Sequence, residues 1–370
     1  MTIRRISSGA PTFLFSLLFQ LVGLVQPQAM PFPITVPAGF RIEVVSDGVR
    51  GARFLAAAPN GDILVSEISR GQVVAVHPDS VAGTQPVVIA RGLDKPNGLA
   101  FRGNDLYIAT WTGITVIPDY PKGIGSPRVL FDNMPRNGDH NARALALASD
   151  GGIFISSGSD CNICTEQDPR LATILRYSAD GKENHILASG LRNASGLAID
   201  PFGKLWAVVN QRDNLTPDHT DLPPDELDLI QDGGNYGWPS CYPVGAERLP
   251  NPEFASASCA AVLPTTLNIQ AHSAPLQTVF YEGTRFPQRF RGALFVALHG
   301  SWDREPPTGY KVVAVTFADG KPTGVEDFAT GWLAGASRVL GRPVGLAVAA
   351  DGSLYVSDDS GYLFRIFYAG

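Results

Sequence analysis

The chain is poor in charge, in sulfur and in long apolar runs. Only 17% of its 370 residues are charged, with 29 Lys and Arg against 35 Asp and Glu. The net charge of −6 excludes the basic face that nucleic-acid binding requires. Beyond residue 25, no run supplies the about 20 apolar residues of a membrane-spanning helix. Nor does any long stretch carry apolar residues at helical spacing, which argues against a helical bundle. Glycine (39) and proline (29) are plentiful but not periodic, which excludes collagen. With 44% apolar residues the chain is not disordered. Many short strands joined by many turns fit this composition.

The N-terminus carries Arg4 and Arg5, then an apolar stretch over residues 13–25, then Pro27-Gln28-Ala29. This order is that of a secretory signal peptide over 1–29, leaving 30–370 as one domain exported to the periplasm or medium. Membrane contact is expected at most through an uncleaved signal. An exported chain with four cysteines favours disulfides. Cys161 and Cys164 form the local pair, which leaves Cys241 for Cys259. A zinc site is the rival, and the wide 241/259 spacing speaks against it.

One pattern recurs six times: an alternating apolar run, a turn with glycine, and a second strand. Ala56-Ala57-Ala58-Pro59-Asn60-Gly61-Asp62-Ile63-Leu64, Ala146-Leu147-Ala148-Ser149-Asp150-Gly151-Gly152-Ile153-Phe154 and Ala347-Val348-Ala349-Ala350-Asp351-Gly352-Ser353-Leu354-Tyr355 are three copies. A degenerate fifth copy lies at residues 290–297. Asn-Gly and Asp-Gly steps permit the positive φ of hairpin turns. Small residues in the first strand of each copy suit strands crowding around an axis. The expected fold is all-β: a six-bladed β-propeller of four-stranded antiparallel blades, with residues 40–46 closing the ring. A two-sheet sandwich is the alternative. Residues 210–237 and 241–286 read as insertions, which in propellers gather on one face.

Function must be argued from the residues just before each innermost strand, at one mouth of the axis. These are Lys95 and Asn97, His140 and Arg143, Arg192 and Asn193, and Arg342. His299, Ser301 and Arg304 follow the fifth copy. A cationic ring in an acidic chain reads as a pocket for a polyanionic small molecule, with His140 placed to take a proton. His272 and His299 read as structural or rim residues.

Three linear motifs sharpen this reading. Gly190-Leu191-Arg192-Asn193-Ala194-Ser195-Gly196 is followed by Asp225-Glu226-Leu227-Asp228 and by Gly233-Gly234-Asn235-Tyr236-Gly237-Trp238-Pro239. Together these resemble the soluble PQQ-dependent sugar dehydrogenases, the glucose/sorbosone dehydrogenase family. The runs Gly158-Ser159-Asp160-Cys161-Asn162-Ile163-Cys164 and His299-Gly300-Ser301-Trp302-Asp303-Arg304 are similar to its sorbosone-dehydrogenase-like subgroup. The resemblance spans nearly all of the chain after residue 29.

The resemblance implies pyrroloquinoline quinone (PQQ) and Ca²⁺ as cofactors, with His140 as the catalytic base, ten residues before Asp150. It implies quinone contacts from Arg192 and Asn193, with Arg192 also catalytic, and carboxylate binding by Arg342. A calcium on the cofactor would take carbonyls near Arg212 and Asp213, and a second would use Glu226 and Tyr236. Three positions depart from the family: Ser195 replaces a glutamine, Lys95 lies near another, and Gly300 and Ser301 replace a fifth-blade lysine. Arg304 or Lys311 is expected to substitute for that lysine, and Asp160 to touch substrate. The expected partners are a small-molecule sugar and an electron acceptor. Arg forks suit the three carboxylates of PQQ, and a neutral imidazole suits removal of a hydroxyl proton. The alternatives are a calcium-dependent lactonase-like propeller and a non-enzymatic propeller that has lost PQQ.

Overall fold

Alternating strands pair into six large, mainly antiparallel sheets in the computed structural model, which describes residues 1–2, 30–80, 83–136, 138–215 and 220–370; two small hairpins stand apart from these six. The expected signal segment lies outside the described residues, apart from Met1 and Thr2. Each sheet is one propeller blade. The first strands of blades one to six are Ala52–Ala57, Leu99–Arg102, Leu145–Leu147, Asn193–Ile199, Pro275–Phe280 and Pro343–Val348. Each touches the first strand of the next blade, and the sixth touches the first, so the six close a ring around the axis.

Closure uses both ends of the domain. Phe40–Ser46 pairs antiparallel with Leu363–Tyr368, from Phe40 opposite Tyr368 to Ser46 opposite Leu363. The sixth blade is therefore built from opposite ends of the sequence, and opening it exposes an unpaired sheet edge. Between blades five and six, Phe286, Phe290, Phe295, Phe328, Trp332 and Phe364 form a buried aromatic cluster with Phe40.

Crowding at the axis explains the small residues of the first strands. A Cβ on Gly196 would lie 2.0 Å from the Leu276 carbonyl oxygen, and one on Gly345 2.3 Å from that of Arg53. Serines of the second strands latch neighbouring blades. Ser66 donates to the Asn97 carbonyl at 2.8 Å, and Ser357 to the Arg53 carbonyl at 2.6 Å. Gln277 reaches from blade five to two other blades. Its Oε1 accepts from the backbone N–H of Leu55 (2.7 Å) and of Leu346 (2.9 Å), while its Nε2 donates to the Leu55 carbonyl (2.8 Å). It lines one end of an axial cavity of about 350 Å³ whose other walls are mostly apolar first-strand residues.

The fifth blade corrects the sequence reading. Its innermost strand is Pro275–Phe280, inside the stretch read as a crossing insertion, and residues 290–297 lead into its second strand, Leu294–Leu298. A connection over residues 281–293 replaces the short glycine turn and hides the repeat. The preceding insertion contributes Leu267–Ile269 as the outer strand of blade four. It also forms a hairpin, Cys241–Val244 with Glu247–Pro250. Gly234–Asn235 adds a fifth strand to blade three, parallel to Asn184–Ser189. Both expected disulfides are present, Cys161–Cys164 and Cys241–Cys259.

Candidate active site

The residues ahead of the first strands gather at one end of the ring. His140 sits against the loop that leaves blade three's second strand. Its Nδ1 lies 3.1 Å from the Ser159 carbonyl oxygen and 2.9 Å from Ser159 Oγ. Ser159 Oγ donates its own proton to the Cys161 carbonyl at 2.7 Å, so toward His140 it is an acceptor. Two acceptors require the proton on Nδ1, which leaves Nε2 as the lone-pair nitrogen. Burial, followed by the Arg192 charge, pushes the His140 pKa down to about 4. The ring is therefore neutral near pH 7 and can accept a proton. Gly158 permits this approach, because a Cβ there would fall 2.5 Å from that of His140.

Arg192 is 4% exposed. Its Nε donates to the Asn162 carbonyl (3.1 Å) and Nη1 to the Gln211 carbonyl (2.8 Å). Nη2 reaches Asn162 Oδ1 (3.0 Å) and Asp213 Oδ2 (3.3 Å). Only the Nη1 contact to the Asn210 carbonyl, at 3.5 Å, is loose. Arg192 thus offers a fixed positive charge more than a free fork. Asn193 opens the first strand of blade four, with Oδ1 beside Gly158.

Asp213 faces Arg192 on one side and His272 on the other, Oδ1 lying 3.6 Å from His272 Nδ1. Burial opposes ionisation of Asp213, but His272 and Arg192 outweigh it and hold its pKa below the usual carboxylate range. Burial also opposes protonation of His272, and the Asp213, Asp225 and Asp303 carboxylates raise its pKa regardless. Ligand atoms of Asp213, His272 and Asp303 lie within 4.8 Å of one another, a set able to hold a cation. Two carboxylates suit a hard ion such as Ca²⁺, and the imidazole is its less preferred ligand.

On the far side of the mouth, Arg342 donates Nη1 to the Gly300 carbonyl (2.8 Å) and lies over the Tyr310 ring. His299 pairs with Asp359 at 3.2 Å, and both Arg342 and Arg53 act electrostatically on it. Lys95 stays on the rim, its ammonium 3.8 Å from the Trp111 ring centroid. Asp160 is exposed, and its carboxylate accepts from the Gly138 N–H.

Five expected site residues already have protein partners. Arg304 donates to the Thr220 carbonyl and to Asp221 (2.7 Å), anchoring the insertion rather than replacing a cofactor-binding lysine. The Arg212 side chain pairs with Glu253 (2.6 Å) and Asn251 (3.0 Å), and the Asp213 carbonyl accepts from Asn162 Nδ2 (2.9 Å). Glu226 is ion-paired with Arg248 at 2.7 Å and accepts from Gln211 and Thr265. The Tyr236 hydroxyl donates to the Leu229 carbonyl (2.7 Å) and accepts from Gln231 N–H (3.0 Å). Glu226 and Tyr236 therefore do not form a ligand pair, because a guanidinium already neutralises Glu226. Arg143 likewise faces inward, donating to the carbonyls of Trp111 and Pro135.

Sequence reasoning read His272 as a structural or rim residue and assigned no role to Asp303, Asn162 or Arg53. His272 precedes the hidden fifth first strand, and the alternation in Pro275-Leu276-Gln277-Thr278-Val279-Phe280 was the signal that could have exposed it. Buried polar atoms without a hydrogen-bond partner occur at this end: Asn97 Oδ1, His272 Nε2 and Arg53 Nε. Native interiors seldom leave such atoms unmatched, so a polar ligand fits here. Arg53, Arg342 and Arg192 suit a polyanion, and His140 Nε2 suits a substrate hydroxyl.

Comparison with known proteins covers nearly the whole chain. The PQQ-dependent pyranose dehydrogenase of Coprinopsis cinerea is 28% identical over 413 residues, covering 93% of this chain and 55% of that protein. This chain thus spans about half the length of that relative. The PQQ-dependent sugar dehydrogenase of Hypocrea jecorina is 26% identical, over 91% of this chain and 84% of its own. The holo PQQ domain of the Coprinopsis cinerea pyranose dehydrogenase matches with TM-score 0.77 and 26% identity, over 91% and 97% of the two chains. A Trichoderma reesei carbohydrate-active enzyme of family AA12 matches with TM-score 0.79 over 93% and 100%, and at 22% identity it speaks for the fold alone. A family model covers residues 34–368, every blade of the propeller, and by that match the chain belongs to the TrAA12-like family.

Proposed function

We propose that this chain oxidises a sugar by hydride transfer to PQQ, as an exported quinoprotein with His140 as general base. The observation that carries this reading is the placement of His140 Nδ1 against two Ser159 oxygens, which assigns the proton to Nδ1 and leaves Nε2 as acceptor, with the Arg192 charge acting on the ring. PQQ, when bound, supplies the two-electron acceptor. His140 Nε2 takes the proton of the substrate hydroxyl as the hydride leaves its carbon. With PQQ bound, the fixed Arg192 charge and the Asn193 side chain would stabilise negative charge on the acceptor without reorganising. Arg342 and Arg53 would bind its carboxylates. Asp213, with His272 and Asp303 beside it, would hold Ca²⁺. An aldose or a sorbosone-like sugar aldehyde, oxidised as its hydrate, fits the same base, and a separate acceptor removes the electrons.

The test adds PQQ and Ca²⁺ to the purified protein and follows dye reduction across a panel of pyranoses and sugar aldehydes. Turnover that requires PQQ is the expected result. Absence of PQQ binding, read as unchanged absorbance and unchanged melting temperature, overturns the reading and favours a non-enzymatic propeller.

A further inference from the structure

The loop after blade three's second strand makes more contacts with the site than any residue assigned above requires. Asn162 takes part in five hydrogen bonds. Its carbonyl accepts from Arg192 Nε (3.1 Å) and from Trp238 Nε1 (3.2 Å). Its Oδ1 accepts from Arg192 Nη2 (3.0 Å) and from the Asp213 N–H (2.9 Å). Its Nδ2 donates to the Asp213 carbonyl (2.9 Å). The side chain thus reads both backbone groups of Asp213 and one edge of Arg192 at once. Three residues earlier, Ser159 fixes the His140 ring and is itself tied to the Cys161 carbonyl.

Loops of this kind are ordinarily mobile, and an asparagine on a mobile loop cannot hold two partners in register. Here the Cys161–Cys164 disulfide closes the loop around Asn162. Such a short ring adds little global stability, since loop-closure gains grow with loop length. Its effect is local: it fixes the backbone that presents Asn162. A charge and a carboxylate at a cofactor site act through their placement, and partners that orient such groups typically matter by about 10–100-fold.

We propose that Asn162 is the positioning residue of this site, setting Arg192 and the Asp213 turn relative to His140, and that the Cys161–Cys164 disulfide serves to hold Asn162 in place. The proposal rests on the quinoprotein reading for its catalytic consequence, though not for its geometric one.

The test compares Asn162→Ala, Asn162→Asp and the Cys161→Ser/Cys164→Ser pair with the full-length wild-type protein. Measured quantities are PQQ affinity by tryptophan quenching with Ca²⁺ present, kcat and KM for the best sugar, melting temperature, and hydrogen exchange over residues 210–214 without cofactor. Asn162→Ala is expected to lose about 10–100-fold in PQQ affinity or kcat. Sugar KM and melting temperature should stay near wild type, while exchange over 210–214 rises. Asn162→Asp keeps the acceptor for Arg192 but sets an oxygen against the Asp213 carbonyl, so it should fall between. The serine pair should shift every readout in the same direction by less. If Asn162→Ala keeps affinity, kcat and exchange at wild-type values, the proposal is overturned. If wild type takes up no PQQ, the proposed function fails by itself. Exchange then decides the positioning role: lost protection sustains it, and unchanged protection removes it.

Discussion

Replacing His140 with asparagine is expected to lower kcat by about 10²–10⁴, the usual worth of a positioned general base. PQQ affinity should change little, because no polar atom of His140 is needed to hold an anion. Asparagine keeps a donor for Ser159 and approximates the ring's volume, so the fold should survive. A melting temperature near wild type alongside the collapse in kcat would establish the role. Unchanged kcat would assign proton removal to another group. The pH profile offers an independent check. With the pKa held at about 4, the wild-type base stays ready across the neutral range, and kcat falls only as pH drops through that value. Burial is the larger cause and the Arg192 charge the second, so Arg192→Met should move the acid limb upward in pH. The same shift affects stability. The folded ring binds fewer protons than the unfolded one between its folded pKa and the ordinary histidine value, so this group's contribution is lost as pH falls through that window.

The fold was legible because propeller blades repeat a local code. Asn60-Gly61 and Asp150-Gly151 mark turns, alternation marks strands, and alanine and glycine mark the crowded axis. Both disulfides followed from four cysteines in two groups. Blade five was misread where a connection over residues 281–293 replaced the turn, and the placement of His272 was lost with it. The positions of His140, Arg192, Asn193 and Arg342 at the mouth were legible because each opens a first strand or lies a few residues ahead of one. What each side chain touches was not. Arg143, two residues before its first strand, turns into the protein, and Arg304 reaches across to the 210–237 insertion. Register assigns an end of the ring, whereas the choice between facing solvent and bonding a carbonyl is made by loops distant in sequence. Asn162 was quoted within a motif, but its five bonds join residues 30 to 76 positions away.

Glu226 shows how such a distant residue changes the chemistry, and it leads to the largest expected stability effect. The Arg248 side chain is 3% exposed and that of Glu226 1%, with 2.7 Å between them. Asp228 is equally buried; burial first, and the Glu226 charge second, raise its pKa well above the ordinary value. Burial and the Glu226 charge thus both disfavour a second carboxylate charge beside the Arg248 guanidinium. Arg248 comes from the hairpin of the insertion that Cys241–Cys259 closes, so the pair also docks that insertion onto blade four. Arg248→Met keeps most of the apolar stem and leaves Glu226 as an unpaired buried charge, which typically costs about 3–5 kcal/mol. Denaturant unfolding at pH 7 should register that loss. Adding Glu226→Gln to Arg248→Met removes the stranded charge and should restore a substantial part of the stability. Were Arg248→Met as stable as wild type, Glu226 would have another counter-charge, and a cation at that position would become the better account.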